Sequence, residues 1–399
     1  MSSINKPFSS EFQLEIQEKM LLKESSSQKL SIGIPKEDFR IEKRIPLTPF
    51  AVKLLTDNGI IVFVESGAGE ASSYSDIEYS ESGAEILEQQ EMIFKADVII
   101  KVAPPSLKQI EFLSKNQLLI SSLNVKTLKK QYFKKLTEKK VTAIAIEYIK
   151  DELENYPFVQ FMSEITGRVA IDIASNFLKE KKGKLIGRVA GNTPSEIIVI
   201  GAGDVARSAI EAAINVGAVV KVFDNSVSRL KELESYFPIK IYTSLLYPAI
   251  LEKEFPRADI VIGALHEGVI FNSVISKELI KSMRADTIVI DLTIDQGLCF
   301  ETSKLTSFDK PTFEINNVTH YGVPNVPSTV PRTASNVLSN IFLHHFSNLQ
   351  NHGSINYFLK NDIYFRNGLY FYNGILVNKS IGEIFDLPYK DINLILAAF

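Results

Sequence analysis

Three groups of residues in this chain have types and surroundings suited to chemistry. The first is Gly201-Ala202-Gly203-Asp204-Val205-Ala206, which follows the apolar run Ile197-Ile198-Val199-Ile200 and opens a helical pattern. In a strand–turn–helix setting Gly201 permits the tight turn, Gly203 lets backbone approach a pyrophosphate, and the small Ala206 allows close helix–strand packing. The first turn of the helix, from Asp204 and Val205, offers N–H groups and partial positive charge to phosphates. Asp224 closes the run AVVKVFD, about 20 residues after the motif. A carboxylate there hydrogen-bonds both ribose hydroxyls and repels a 2′-phosphate, so the cofactor implied is NAD rather than NADP. Asp204 sits awkwardly in this scheme, because a carboxylate beside a pyrophosphate is unfavourable unless it turns away. The bland alternative is a glycine turn and a strand-terminal aspartate with no ligand.

The second group is a single residue. Lys101 ends the apolar run ADVIIKV, where an ammonium is costly unless it is paired; otherwise it snorkels from a strand end. The third is Asp295, which follows Asp291-Leu292-Thr293 and precedes Gln296-Gly297. This is the C-terminal edge of an apolar strand, where ligands bind in open α/β sheets. A turn-forming aspartate is the competing reading.

The elements that must position these residues follow a βαβ rhythm starting at Leu30. LSIGI, IIVFVE, ADVIIKV, LLISSL and VTAIAIE read as strands alternating with polar helical segments, including one from Thr48 to Asn58 ended by Gly59. Short β-branched runs of this kind suit a parallel sheet buried on both faces. From about Phe161 to Glu180 a long helical stretch bridges to a second series: EIIVIGAG, AVVKVFD, IKIYTS, ADIVIGA and TIVIDLT. The strand series is expected to stop after Asp291, with residues 327–350 helical. The tail from Ser354 is rich in Tyr, Phe and Leu and must pack, most simply back on the first domain. The expected fold class is therefore α/β, with two doubly wound domains. A Rossmann domain at 159–325 is inserted into a discontinuous domain formed by 30–158 and 326–399, and residues 1–29 form an N-terminal extension carrying a short amphipathic stretch.

The bulk properties narrow the function classes. With 399 residues, two domains are expected. A charged fraction of 23% and a net charge of −3 give no basic surface for nucleic acid. One cysteine, Cys299, excludes an internal disulfide or a zinc cluster and fits a reducing compartment. No metal site is expected. There is no signal-peptide-like start and no apolar run of about 18 residues, so a cytoplasmic protein without membrane association is expected.

Beyond the glycine motif, the chain resembles the alanine dehydrogenase family, which is related to the nicotinamide nucleotide transhydrogenase α subunit. The resemblance spans roughly residues 30–345 and rests on IGIPKE at 32–37, KRIPLTP at 43–49, ESGAGE at 65–70, DVIIKVAPP at 97–105, FMSEITGR at 161–168, VIGAG at 199–203 and IDQG at 294–297. It implies reversible oxidative deamination of an amino acid to a 2-oxo acid and ammonium, in a homo-oligomer that is usually a hexamer. It also implies roles residue by residue. Arg44 would clamp the substrate carboxylate, Lys101 would meet the substrate carbonyl, and Asp295 would be the catalytic aspartate supporting a cationic imine. Asn325 would lie near the nicotinamide amide, and Met162 and Ser163 would flank substrate and cofactor. The cleft would lie between the domains and close by a hinge.

The pattern is broken at one place. The family's acid/base histidine falls on Asn124, whose amide cannot take a proton near neutral pH, and all five histidines lie at position 266 or beyond. Three readings stay open. Lys101, with Asp295 or water, carries the proton in an NAD-dependent alanine dehydrogenase; the substrate is another amino acid; or the chain is a catalytically weak NAD-binding paralogue. A transhydrogenase-like hydride carrier is a further alternative, weakened by the absence of the Arg/Gln/Asp-rich loop. His266 swinging towards the cofactor is a minor variant. Asp204, Ala206 and Leu298 are smaller departures from the family pattern.

Overall fold

The computed structural model describes residues 30–265, 274–295, 297, 299–346, 359 and 362–396. The described chain divides into two compact units. One contains the chain up to Glu37, Arg44–Phe158 and the part from Ser335 onward; the other contains Asp38–Lys43 and Val159–Ala334.

The first unit is built on β1 (Ser31–Ile34), β2 (Ile61–Glu65), β3 (Glu85–Leu87), β4 (Val98–Ile100), β5 (Leu118–Ser121) and β6 (Thr142–Ala145). The second carries β7 (Glu196–Ile200), β8 (Val219–Asp224), β9 (Tyr242–Leu245), β10 (Ile260–Gly263), β11 (Ile288–Asp291), β12 (Thr312–Ile315) and β13 (Val318–Tyr321). Late in the chain β14 (Leu369–Tyr372) and β15 (Ile375–Leu376) return to the first sheet. The sheet orders are β15-β14-β6-β5-β4-β1-β2-β3 and β12-β13-β11-β10-β7-β8-β9. Counted within its own unit, each sheet therefore runs 3-2-1-4-5 through its first five strands, which are all parallel. Each is doubly wound, with a topological switch point between β1 and β4 in one and between β7 and β10 in the other.

The reason lies in the strand composition. Strands β4, β5, β6, β10 and β11 are buried at every residue. Each Val or Ile side chain removed from water contributes about 1.5–3 kcal/mol, which requires helices over both faces. The helices are defined locally. Thr48 caps the helix Pro49–Asp57 by accepting from the Ala51 amide, and Pro49 occupies its first turn. The bridging helix runs over Pro157–Lys182. The late helix covers Pro331–Phe346 after a short 3₁₀ turn at Val326–Thr329; positions 347–350 of the expected helix lie outside the described residues.

The expectation that strands end at Asp291 is overturned. Residues 312–321 form a hairpin whose second strand pairs parallel to β11. Asn316 and Asn317 both take positive φ, 54° and 59°, as a two-residue hairpin turn requires. The aromatic tail adds β14 antiparallel to β6, so the first unit is discontinuous in sequence. Among the described residues no helix is long and apolar enough to cross a membrane.

Candidate functional site

In the second unit the glycine turn stands at the carboxyl end of β7, beside the switch point. Gly201 has φ +122°, and a Cβ there would run into the Ala264 carbonyl oxygen; only glycine fits. Its amide donates to Phe223 O at 2.7 Å. The helix Asp204–Asn215 begins immediately after, with Gly203 at its N-cap. Glycine supplies no side-chain cap, so the first-turn amides stay open to an anion. Val205 is half-buried and Ala206 is fully buried. This bare turn and uncapped helix start fit a dinucleotide.

Asp224 is buried, and its carboxylate is shared between two backbone donors: Ala202 N to Oδ2 at 2.9 Å and Ser226 N to Oδ1 at 2.7 Å. It therefore ties the end of β8 to the glycine turn and to the start of the helix Val227–Tyr236. Each oxygen still has accepting capacity for a ribose hydroxyl. The awkward Asp204 pairs with Arg207 at 2.6 Å, and Arg207 lies 5.1 Å over the Tyr236 ring. A cavity of about 200 Å³ beside the turn is lined by Gly203, Asp204, Arg207, Arg229 and Tyr236 among others.

Met162 and Ser163 are half-buried on the bridging helix. One turn further on, a Cβ at Gly167 would strike the Val205 carbonyl and the Ala209 amide. Gly167 thus brings this helix onto the first turn of the dinucleotide helix, a packing role that its place in FMSEITGR did not disclose. Asn325 adopts φ +55°, and its Nδ2 donates at 3.0 Å to both Ile41 O and the buried Glu42 Oε2. Asp295 is half-buried in the turn that follows β11. Behind it, burial pushes the Asp291 carboxyl above the usual aspartate range, with hydrogen bonds from Ser303 and Thr293 opposing the shift. Gln296, Leu298 and His266 lie outside the described residues.

In the first unit Lys101 follows β4, 2% exposed, with Nζ 2.5 Å from Glu37 Oε2. The other oxygen of Glu37 accepts from Val102 N at 2.7 Å and Ala103 N at 3.4 Å. Glu37 lies beyond β1 and Lys101 beyond β4, so the ion pair fills the carboxyl edge at the switch point. Sequence reasoning missed Glu37. The available signal was the requirement that a lysine in an apolar run have a buried counter-ion.

Asn124 follows β5, is exposed, and holds φ +43° and ψ +61°. Asparagine tolerates this left-handed conformation better than most residues. The local backbone is held by Glu147, whose Oε1 accepts from Leu123 N at 2.8 Å and Asn124 N at 3.1 Å. Arg44 is half-buried ahead of the helix Pro49–Asp57. Its neighbour Ile45 donates to Ser335 Oγ at 2.9 Å, and Thr48 N donates to Ser339 Oγ at 3.0 Å. Lys101, Asn124 and Arg44 thus belong to one unit, while the glycine turn, Asp224, Met162, Ser163, Asp295 and Asn325 belong to the other.

Residues 33–166 match the family described as alanine dehydrogenase/PNT, N-terminal domain, and residues 170–379 match its C-terminal domain. An alanine dehydrogenase of Staphylococcus saprophyticus is 33% identical over 367 residues, covering 91% of this chain and 98% of that protein. A solved L-alanine dehydrogenase superposes with a TM-score of 0.82 at 31% identity, over 90% of this chain and 99% of the other. A transhydrogenase from Sinorhizobium meliloti, 22% identical over 88% of this chain and 99% of its own, has a TM-score of 0.74 and shares the fold. The chain belongs to the alanine dehydrogenase/PNT family.

Proposed function

We propose that the protein is an NAD-dependent amino acid dehydrogenase converting L-alanine, NAD and water to pyruvate, ammonium, NADH and a proton. The observation that carries this reading is the buried Lys101–Glu37 pair at a sheet's carboxyl edge. An ammonium kept there presents N–H donors in a dry setting, where a developing carbonyl charge is best stabilised. Arg44 holds the substrate carboxylate through its guanidinium fork, and Met162 lines the substrate side. Lys101 spends one of its three donors on Glu37 and has others for the oxo group. Asp295 supports the cationic imine, which water then hydrolyses to the 2-oxo acid and ammonium. The glycine turn, with Gly201, Gly203, Asp204, Val205 and Ala206, seats the pyrophosphate. Asp224 takes the ribose hydroxyls, and Ser163 and Asn325 stand near the nicotinamide. When bound there, NAD would supply the hydride acceptor for the oxidation and NADH the donor for its reverse. We place the working form as a homo-oligomer, hexameric by the family resemblance.

A second reading is favoured by one specific observation: Asn124 stands on the segment where the family resemblance puts the acid/base histidine. General acid–base catalysis contributes about 10²–10⁴-fold, so a chain lacking the histidine could instead be a catalytically weak NAD-binding paralogue.

The test is NADH oxidation with pyruvate and ammonium across pH, for the parent chain, Asn124→His and Lys101→Ala. Turnover in the parent that is lost in Lys101→Ala supports the dehydrogenase with Lys101 handling the proton. Tight NADH binding without turnover on pyruvate or any other 2-oxo acid moves the assignment to the paralogue. A marked gain in Asn124→His shows how much of the histidine's contribution the chain lacks.

A further inference from the structure

Asp291, the last residue of β11, is 1% exposed and makes no ion pair among the described residues. Its two oxygens receive four hydrogen bonds. Oδ1 accepts from Thr293 N at 3.0 Å and Thr293 Oγ1 at 2.7 Å; Oδ2 accepts from Cys299 N at 3.1 Å and Ser303 Oγ at 2.6 Å. These donors lie on both sides of Asp295. Inside the segment, Gly297 N donates to Thr293 O at 2.9 Å, and at its start Leu292 N donates to Gly263 O at 2.9 Å. Gly263 has to be bare, because a Cβ there would stand 2.8 Å from Cys299 Cβ and 2.7 Å from the Phe300 ring.

A buried carboxylate without a cation is an expensive way to stabilise a loop. Serines or backbone amides could close an ordinary turn. What this carboxylate achieves is geometric: one rigid group at a strand end gathers the incoming and outgoing limbs of a single turn. We propose that Asp291 is a positioning residue that fixes the turn carrying Asp295 from both sides and so sets where the Asp295 carboxylate stands. The inference rests on the dehydrogenase reading, in which Asp295 supports the cationic intermediate. Precision there matters, since a misplacement of about 1 Å at a reacting centre can cost about a hundredfold in rate.

The experiment is a double-mutant cycle on the full-length protein with Asp295→Asn, Asp291→Asn and the pair. Turnover, KM, NADH affinity by fluorescence, and melting temperature are read for each. The expected result is a kcat about tenfold to a hundredfold lower in Asp291→Asn, with NADH affinity kept and almost no further loss once Asp295→Asn is present. Ser303→Ala, which removes one donor, gives the same pattern at a smaller amplitude and carries the test if Asp291→Asn does not fold. The proposal is overturned if the folded Asp291 and Ser303 variants keep parental kcat, or if their losses are equally large in the Asp295→Asn background. Should Asp295→Asn itself leave turnover intact, the assigned role of Asp295 fails and the proposal falls with it, an outcome distinct from additivity.

Discussion

The two sheets share one strand order but furnish their switch points with opposite chemistry. Between β1 and β4 the crevice holds charge: Lys101 and Glu37, 2% and 7% exposed, lie 2.5 Å apart. Between β7 and β10 it holds bare backbone: Gly201 beside the Ala264 carbonyl, and an uncapped helix start at Gly203. Asp224, at the end of β8, is buried and bonds to amides rather than to a cation, and the one ion pair described at this rim, Asp204 with Arg207, is exposed at the carboxylate rather than buried. Topology supplies the crevice in both cases. The residues at its rim decide whether it offers a point charge to a small polar molecule or a row of amides to a diphosphate. Fold alone therefore does not assign the two halves their roles.

The comparison breaks most visibly at Glu37. In Glu37→Gln the amide keeps an acceptor for Val102 N but leaves the Lys101 ammonium buried without its counter-ion. Removing one partner of a buried pair costs about 3–5 kcal/mol, so thermal and urea melts should show a clear loss. Joint replacement by Glu37→Gln and Lys101→Met keeps the acceptor for Val102 N, removes the stranded ammonium, and should restore much of the stability while abolishing turnover. A loss of under about 1 kcal/mol, the size measured for exposed pairs, would show that the first switch point is not organised by charge.

The second switch point should fail through geometry. Gly201→Ala forces a Cβ into positive φ and against Ala264 O. Strain of that kind costs about 1–3 kcal/mol, and displacement of the turn should weaken NADH binding more than it lowers the melting temperature. Unchanged NADH affinity in Gly201→Ala would remove the turn from the cofactor site.

The two crevices also differ in how far they can be read from sequence, and for the same reason. The dinucleotide turn is contiguous: strand, glycines and helix start follow within a dozen residues. Its strand β7 is buried from Ile197 to Ile200 and appears as an unbroken β-branched run. The charged crevice is assembled from residues 64 apart, so Lys101 announces the need for a partner without naming Glu37. Asn325 is harder still, since Ile41 and Glu42 lie far from it in the chain. The edge elements escaped for a different reason. Strand β3 has only three residues, none fully buried, and β12 is nowhere fully buried, so neither shows a buried-strand pattern. The Asn316-Asn317 pair was the readable signal for the β12–β13 hairpin.

The finest test applies one exchange, carboxylate to amide, at both rims. Asp224→Asn removes a charge, as Glu37→Gln does, but strands no cation. Its two donors reach different oxygens, and an amide has only one carbonyl oxygen to offer. One backbone N–H is therefore left without its acceptor, at a cost of about 1–3 kcal/mol, below the cost at Glu37. The larger change should be in selectivity. The neutral amide no longer repels a 2′-phosphate and no longer accepts from both ribose hydroxyls, so NADH affinity falls while NADPH affinity rises. Fluorescence titration with both cofactors measures this directly. If Asp224→Asn destabilises the chain as strongly as Glu37→Gln, the second crevice depends on charge as well, and the contrast between the two switch points is lost.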